Sequence, residues 1–237
     1  HRIPWIDNVK FLAIWCVIFG HFNGQIFTHG RPGFDIINLF IVIFNMPLFV
    51  FMSGYSNYKS LKNLDGSKSL WKYFTKTFER IILPCIIPCI MVYLIRPDME
   101  YVDFKHYWFL VMLSVIQIST GGIFCITNKL RHGDIIGWGV FVIIMVCLNR
   151  YSTSELCWYY LYGGVVKNME MKGKDIFKLN NKFYLLVPVG IVSFLFTDVY
   201  KYQFYNNTIF SMFHNGVFYL WILRMICACC LIYVIIY

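Results

Sequence analysis

The chain has 237 residues, 59% of them hydrophobic and only 14% charged, far from the soluble norm in which about a quarter are charged. Its net charge is +9. The basic residues cluster between apolar runs, the pattern that orients a membrane protein and not that of a nucleic-acid-binding face, so no nucleic-acid partner is expected.

A spanning helix needs about 20 mostly apolar residues. The hydropathy pattern predicts an all-α polytopic transmembrane bundle of about eight helices, near residues 9–28, 36–56, 81–96, 107–127, 133–149, 156–168, 183–200 and 212–237. The sixth is short enough to be re-entrant or interfacial. No internal repeat is visible, and residues 1–237 read as a single integral-membrane domain. Nine cysteines are present, and Cys16, Cys85, Cys89, Cys147, Cys227, Cys229 and Cys230 fall inside apolar runs. They lack the spacing of a zinc site, so no metal is expected. No signal peptide is recognisable. Because the chain opens on His1 and closes on Tyr237 within an apolar run, it is expected to be part of a longer protein.

Charge fixes the expected orientation. Segment 59–80 carries Lys59, Lys62, Lys68, Lys72, Lys76 and Arg80; segment 167–182 carries Lys167, Lys172, Lys174, Lys178 and Lys182; the 128–132 turn adds Lys129 and Arg131. With eight alternating helices all three connections fall on one side. The positive-inside rule makes that side the cytoplasm and places both chain ends there.

Ionisable groups inside apolar runs are the candidates for chemistry. Lys10 and His21 lie eleven residues apart in the first run. Eleven helical steps return to within about 20° of the starting face and advance about 16 Å, so the two share a stripe. Such a stripe faces a bundle interior or a water-filled cavity, or else Lys10 snorkels and a neighbouring helix satisfies His21. In the second run, "FNMPLFVFMSGY" carries Pro47, which frees a backbone carbonyl, and Asn45, a polar group at depth. Arg80, with Lys76 before it, stands at the mouth of the third run and suits an anionic phosphate or serves as a plain basic anchor. "HYWFL" opens the fourth run with His106, Tyr107 and Trp108, either an interfacial aromatic belt or a platform for a sugar.

Taken in order, "WIDNVKFLAIWCVIFGHF", "NMPLFVFMSGY", "RIILP", "HYWFL" and "YLYGGVVK" resemble the membrane acyltransferase-3 family, most closely its fucose 4-O-acetylase-like branch. The resemblance covers about residues 5 to 168, and its first two motifs are the specific ones. It implies a multi-span enzyme of the bacterial cytoplasmic membrane that moves an acyl group, usually acetyl from acetyl-CoA, onto a hydroxyl of a cell-surface or lipid-linked glycan. It makes His21 the essential histidine of a basic-residue, ten-residue gap, histidine motif, with Lys10 as its basic member. The chain departs from the pattern in having Asn45 where a histidine often precedes Met-Pro. About ten helices are usual in the family, so the last two are expected beyond Tyr237.

With that resemblance, the expected roles are catalytic for His21 and Lys10, acyl-CoA binding for Arg80 and Lys76, and acceptor binding for Asn45, His106 and Trp108. Acetyl-CoA acts as co-substrate, and membrane lipid and a glycan acceptor are the partners; nothing in the residues sets the oligomeric state. A neutral histidine, with an unperturbed pKa of about 6.5, can take a hydroxyl proton near neutrality. A transporter or exporter of a saccharide or small anion would also keep buried ionisable groups, but predicts an inverted repeat that the halves lack. A structural membrane subunit has no need of the lysine–histidine stripe.

Overall fold

The computed structural model describes residues 4–26, 32–95, 108–148 and 151–173, with isolated positions 226, 229, 230 and 232. The described residues are helical and contain no strand. In chain order the elements are α1 (Pro4–Ile26), α2 (Pro32–Lys62), α3 (Ser67–Thr77), a π-helical turn (Phe78–Ile82), α4 (Leu83–Ile95), α5 (Trp108–Thr127), α6 (Gly133–Leu148) and α7 (Tyr151–Met171). Among the described residues, one helix is both long and apolar enough to cross a membrane, over Phe109–Thr127 in α5. The expected helices at 183–200 and 212–237 lie outside the described residues, four isolated positions apart.

The chain divides into two compact units, residues 1–56 with 146–237, and residues 57–145. In the first unit, α1 buries Val9 and Ala13 and leaves Phe11, Trp15, Ile18 and Phe19 exposed. Side chains one helical turn apart share a face, so Val9 and Ala13 form a narrow inward stripe on a helix apolar nearly all round. α2 runs through Pro47 as one helix, and Phe51, Met52 and Tyr55 are buried on it. Its Gly54 meets α7 backbone to backbone: a Cβ there would stand 2.1 Å from the Tyr160 carbonyl oxygen. Gly163 of α7 returns the contact, since its Cβ would stand 2.0 Å from the Phe51 carbonyl oxygen. Such close small-residue contacts gain their stability from van der Waals packing of backbone against backbone.

In the second unit, an aromatic cluster ties the end of α2 to α5 and α6. Tyr58 stacks on Trp138 with centroids 6.2 Å apart, and Phe124 meets Trp138 edge-on at 5.0 Å. The Asn128 amide, in the α5–α6 turn, donates to the carbonyl oxygens of Leu61, Lys62 and Leu64 at 2.8, 3.3 and 3.1 Å. It thereby satisfies carbonyls that a helix end leaves orphaned.

The basic segment 59–80, a connection between apolar runs in the hydropathy pattern, is helical for most of its length. α2 continues to Lys62, a four-residue turn follows, and the helix restarts at Ser67. Gly66 makes the turn possible, with a φ of 144° that an L side chain rarely adopts. Ser69 then pins the restart, accepting from the Asp65 N–H at 2.9 Å and donating to the Gly66 carbonyl at 2.8 Å. From Ser67 to Ile95 the helical path is continuous through the π turn, so the third helix begins fourteen residues before the expected 81. Pro84 supplies a reason for the π turn: it has no N–H for the Arg80 carbonyl, and a widened turn accommodates that loss. α7 likewise outruns the expected 156–168, spanning 21 residues.

Candidate functional site

α1 is unbroken from Pro4 to Ile26, so Lys10 and His21 sit on one helix with the eleven-residue phase relation intact. Lys10 is exposed. The side chains of His21, Asn45 and Trp108 fall outside the described residues, although their backbones lie in α1, in α2 and at the start of α5. His106 lies outside the described residues altogether. Lys76, in the last turn of α3, and Arg80, in the π turn, are four residues apart and both exposed.

The first unit brings together three residues that the sequence reading left out of the site, Lys167 having been counted only as charge on the basic side. Tyr55 ends the second-helix motif, and Lys167 ends "YLYGGVVK". The glycine contact between α2 and α7 draws these two motif ends into touch. The Tyr55 hydroxyl donates to the Glu170 carboxylate. The Lys167 ammonium donates to the same carboxylate oxygen at 2.9 Å and to the Tyr55 hydroxyl at 3.3 Å. It also lies 4.6 Å from the centre of the Tyr55 ring, within range of a cation–π attraction. Glu170 stands beyond the 156–168 span. Burial works to raise its carboxyl, but the hydrogen bonds from Tyr55 and Lys167, with the Lys167 charge, outweigh burial and hold it below the usual carboxylate range. The carboxylate is therefore ionised near neutral pH and holds Lys167 in place. The sequence signal covered only the local half: Lys167 has an acid three residues on, the (i, i+3) spacing of a helical ion pair.

In the second unit, α3 presents one buried and one exposed face. Tyr73 and Thr77 turn inward against α5: the Tyr73 hydroxyl donates to the Gln117 carbonyl at 3.3 Å, and the Thr77 hydroxyl to the Gln117 side-chain oxygen at 3.3 Å. Lys68, Lys72 and Lys76 occupy the exposed face at intervals of four residues and form no ion pair among the described residues. Trp71 beside them is 73% exposed. Chemically the two places differ: one is a cation already matched by an acid, the other a row of exposed cations followed by the exposed Glu79 in the π turn. No group of three or more His, Cys, Asp or Glu residues able to hold a metal occurs among the described residues.

A family model described as an acyltransferase domain matches residues 3–237. No curated protein and no solved structure matches the chain.

Proposed function

Because the chain belongs to the membrane-associated acyltransferase-3 family, we propose that it is an integral-membrane O-acetyltransferase of the fucose 4-O-acetylase-like kind. In this reading residues 1–237 form one polytopic bundle domain in a bacterial cytoplasmic membrane, with both ends of the chain in the cytoplasm. The donor is acetyl-CoA on the cytoplasmic side, and the acceptor is a hydroxyl of a cell-surface or lipid-linked glycan.

His21 takes the proton of the acceptor hydroxyl, whose oxygen attacks the thioester carbonyl. The C–S bond breaks, the ester forms, and the thiolate recovers a proton to leave as free CoA. Lys10, Lys76 and Arg80 offer positive charge to the anionic donor, and Asn45, His106 and Trp108 hold the acceptor. The observation that carries this reading is the family match over residues 3–237 together with Lys10 and His21 on one unbroken helix at the spacing the family uses.

The test is radiolabelled acetyl transfer from acetyl-CoA in membranes, with the label released by base as an O-ester requires. His21→Ala, at equal membrane level, is expected to lower transfer by about 10²–10⁴-fold, the usual contribution of a general base. Undiminished transfer removes His21 from catalysis. Arg80→Ala is expected to raise the KM for acetyl-CoA more than it lowers kcat; an unchanged CoA affinity removes Arg80 from the donor site.

A further inference from the structure

The aromatic cluster of the second unit holds two hydroxyls that its rings do not need. Tyr58 is fully buried, and Thr127, the last residue of α5, is 6% exposed. Neither the Tyr58 hydroxyl nor the Thr127 hydroxyl has a hydrogen-bond partner among the described residues. A buried hydroxyl without a partner is costly, and phenylalanine and valine fill the same space without that cost.

The two hydroxyl-bearing residues belong to one junction of α2, α5 and α6. The Tyr58 ring lies nearly parallel to Trp138 and edge-on to Phe124, with centroids 6.2 and 6.4 Å away. Thr127 follows Phe124 by three residues and so shares its face of α5. It meets α6 at Gly137, where a Cβ would stand 2.8 Å from the Thr127 hydroxyl oxygen and 3.1 Å from the Phe124 ring. Asp134 precedes Trp138 by one turn, on the same face of α6. It is half-exposed, and its carboxylate accepts the Ile135 N–H at 3.0 Å. Burial and, after it, the charge of Asp134 push the Tyr58 hydroxyl up to about 12. Each of the three helices thus brings one oxygen-bearing side chain to the junction.

We propose that Tyr58, Thr127 and Asp134 bind one ordered water molecule, which accepts from the Tyr58 hydroxyl and donates to the Asp134 carboxylate and the Thr127 hydroxyl. Such a water makes about three hydrogen bonds to groups otherwise unsatisfied, the usual number for a buried site. A phenol must donate, and a carboxylate must accept, so a ligand that does both fits the set. A cation fits it less well. Asp134 lies in the first turn of α6, where the helix dipole is positive, and Lys129 and Arg131 stand in the turn before it. The half-exposed Asp134 gives the water its way in from solvent. The site stands apart from the acyl-transfer reading and does not depend on it.

Two measurements on the full chain test the site. In the first, a brief X-ray pulse makes hydroxyl radicals from the water beside each residue, and mass spectrometry reads the oxidised side chains. Tyr58 is expected to be oxidised at least about threefold faster than Tyr159 and Tyr160, which are equally buried. Oxidation as slow as theirs overturns the site, and this readout needs no variant to fold. In the second, Tyr58→Phe and Thr127→Val are each expected to lower the melting temperature by about 2–4 °C, and the double variant by less than the sum, because one water serves both hydroxyls. A single variant at least as stable as the parent shows that its hydroxyl was unbonded and overturns the proposal. Additive losses overturn the shared water. Replacing choline by sodium or potassium at constant ionic strength is expected to leave the parent unchanged; a higher melting temperature with one alkali cation puts a cation in place of the water and overturns the proposal as well.

Discussion

The α2–α7 contact and the α3–α5 contact join helices by opposite means. At the first, glycines let backbone touch backbone: Gly54 faces the Tyr160 carbonyl, and Gly163 faces the Phe51 carbonyl and the Tyr55 nitrogen. At the second, Gly121 faces only side chains, the rings of Tyr73 and Phe74. The lysines follow the same division. Lys167 is fixed by Glu170 and Tyr55 with 15% of its side chain exposed, while Lys68, Lys72 and Lys76 extend from α3 with no ion pair among the described residues. A backbone contact has no adjustable part, so it holds a residue in one place; a side-chain contact yields by rotamer. The α2–α7 junction is thus a rigid anchor, and α3 is a support that leaves its lysines exposed.

The sharpest way to break this contrast is Gly163→Val. The first carbon of the new side chain would lie 2.0 Å from a carbonyl oxygen, so α2 and α7 must part. The expected loss is about 3 kcal/mol or more, at the upper end for overpacking, because the obstacle is backbone. Thermal unfolding in detergent, followed by loss of a monodisperse species, reads it. A Gly163→Val protein as stable as the parent would mean that the junction is not an anchor.

This contact also marks the limit of what the sequence revealed. Apolar runs located α1, α2, α5 and α6, because hydropathy records the solvent around a helix. The Lys10–His21 spacing was legible for the same local reason: a helix has a fixed phase. The stretch 59–80 reads as a connection because its charge interrupts the apolar runs, and charge alone does not reveal its helical form; Lys68, Lys72 and Lys76 are compatible with a helix that keeps Tyr73 and Thr77 inward. Tyr55, Lys167 and Glu170 went unassigned because their meeting depends on a pairing of helices more than a hundred residues apart, which local pattern does not encode.

Glu170→Gln comes next in size. The parent pair is matched, so removing the acid leaves Lys167 half-buried with the Tyr55 hydroxyl as its described partner. Breaking a fully buried pair costs about 3–5 kcal/mol; with 39% of the Glu170 side chain exposed, water screens much of this, and about 1 kcal/mol is expected. Lys167→Met should cost less, because the more exposed carboxylate can hydrate. The double variant should recover part of the loss, and strict additivity in this cycle would show that the two residues do not act together. The pH dependence has a definite sign. The folded-state carboxyl is held below its ordinary value of 4.5, so its contribution is complete above that value and disappears as the pH falls through the folded value. Melting temperatures from pH 7 down to pH 4 should decline more steeply for the parent than for Glu170→Gln; parallel curves would remove the pair from the stability of the junction.

Gly121→Ala is expected to have a smaller net effect, about 0.5 kcal/mol, since the added carbon would meet the Tyr73 ring at 2.7 Å, a ring can tilt where a backbone cannot, and alanine in place of a helical glycine itself gains about 0.5–1 kcal/mol. Its more specific consequence concerns α3. A tilted Tyr73 should lose its 3.3 Å bond to the Gln117 carbonyl and loosen the register of α3 against α5. Gly139→Ala is the reference for both, because nothing lies within 4 Å of a Cβ there. In an exposed helical position that exchange stabilises by about 0.5–1 kcal/mol through backbone entropy. A ranking by melting temperature of Gly139→Ala above the parent, Gly121→Ala slightly below it and Gly163→Val far below follows from what each new carbon meets: nothing, a ring, or a carbonyl. If Gly121→Ala fell as far as Gly163→Val, the α3–α5 contact would be as unyielding as the α2–α7 junction, and the distinction between anchor and support would disappear.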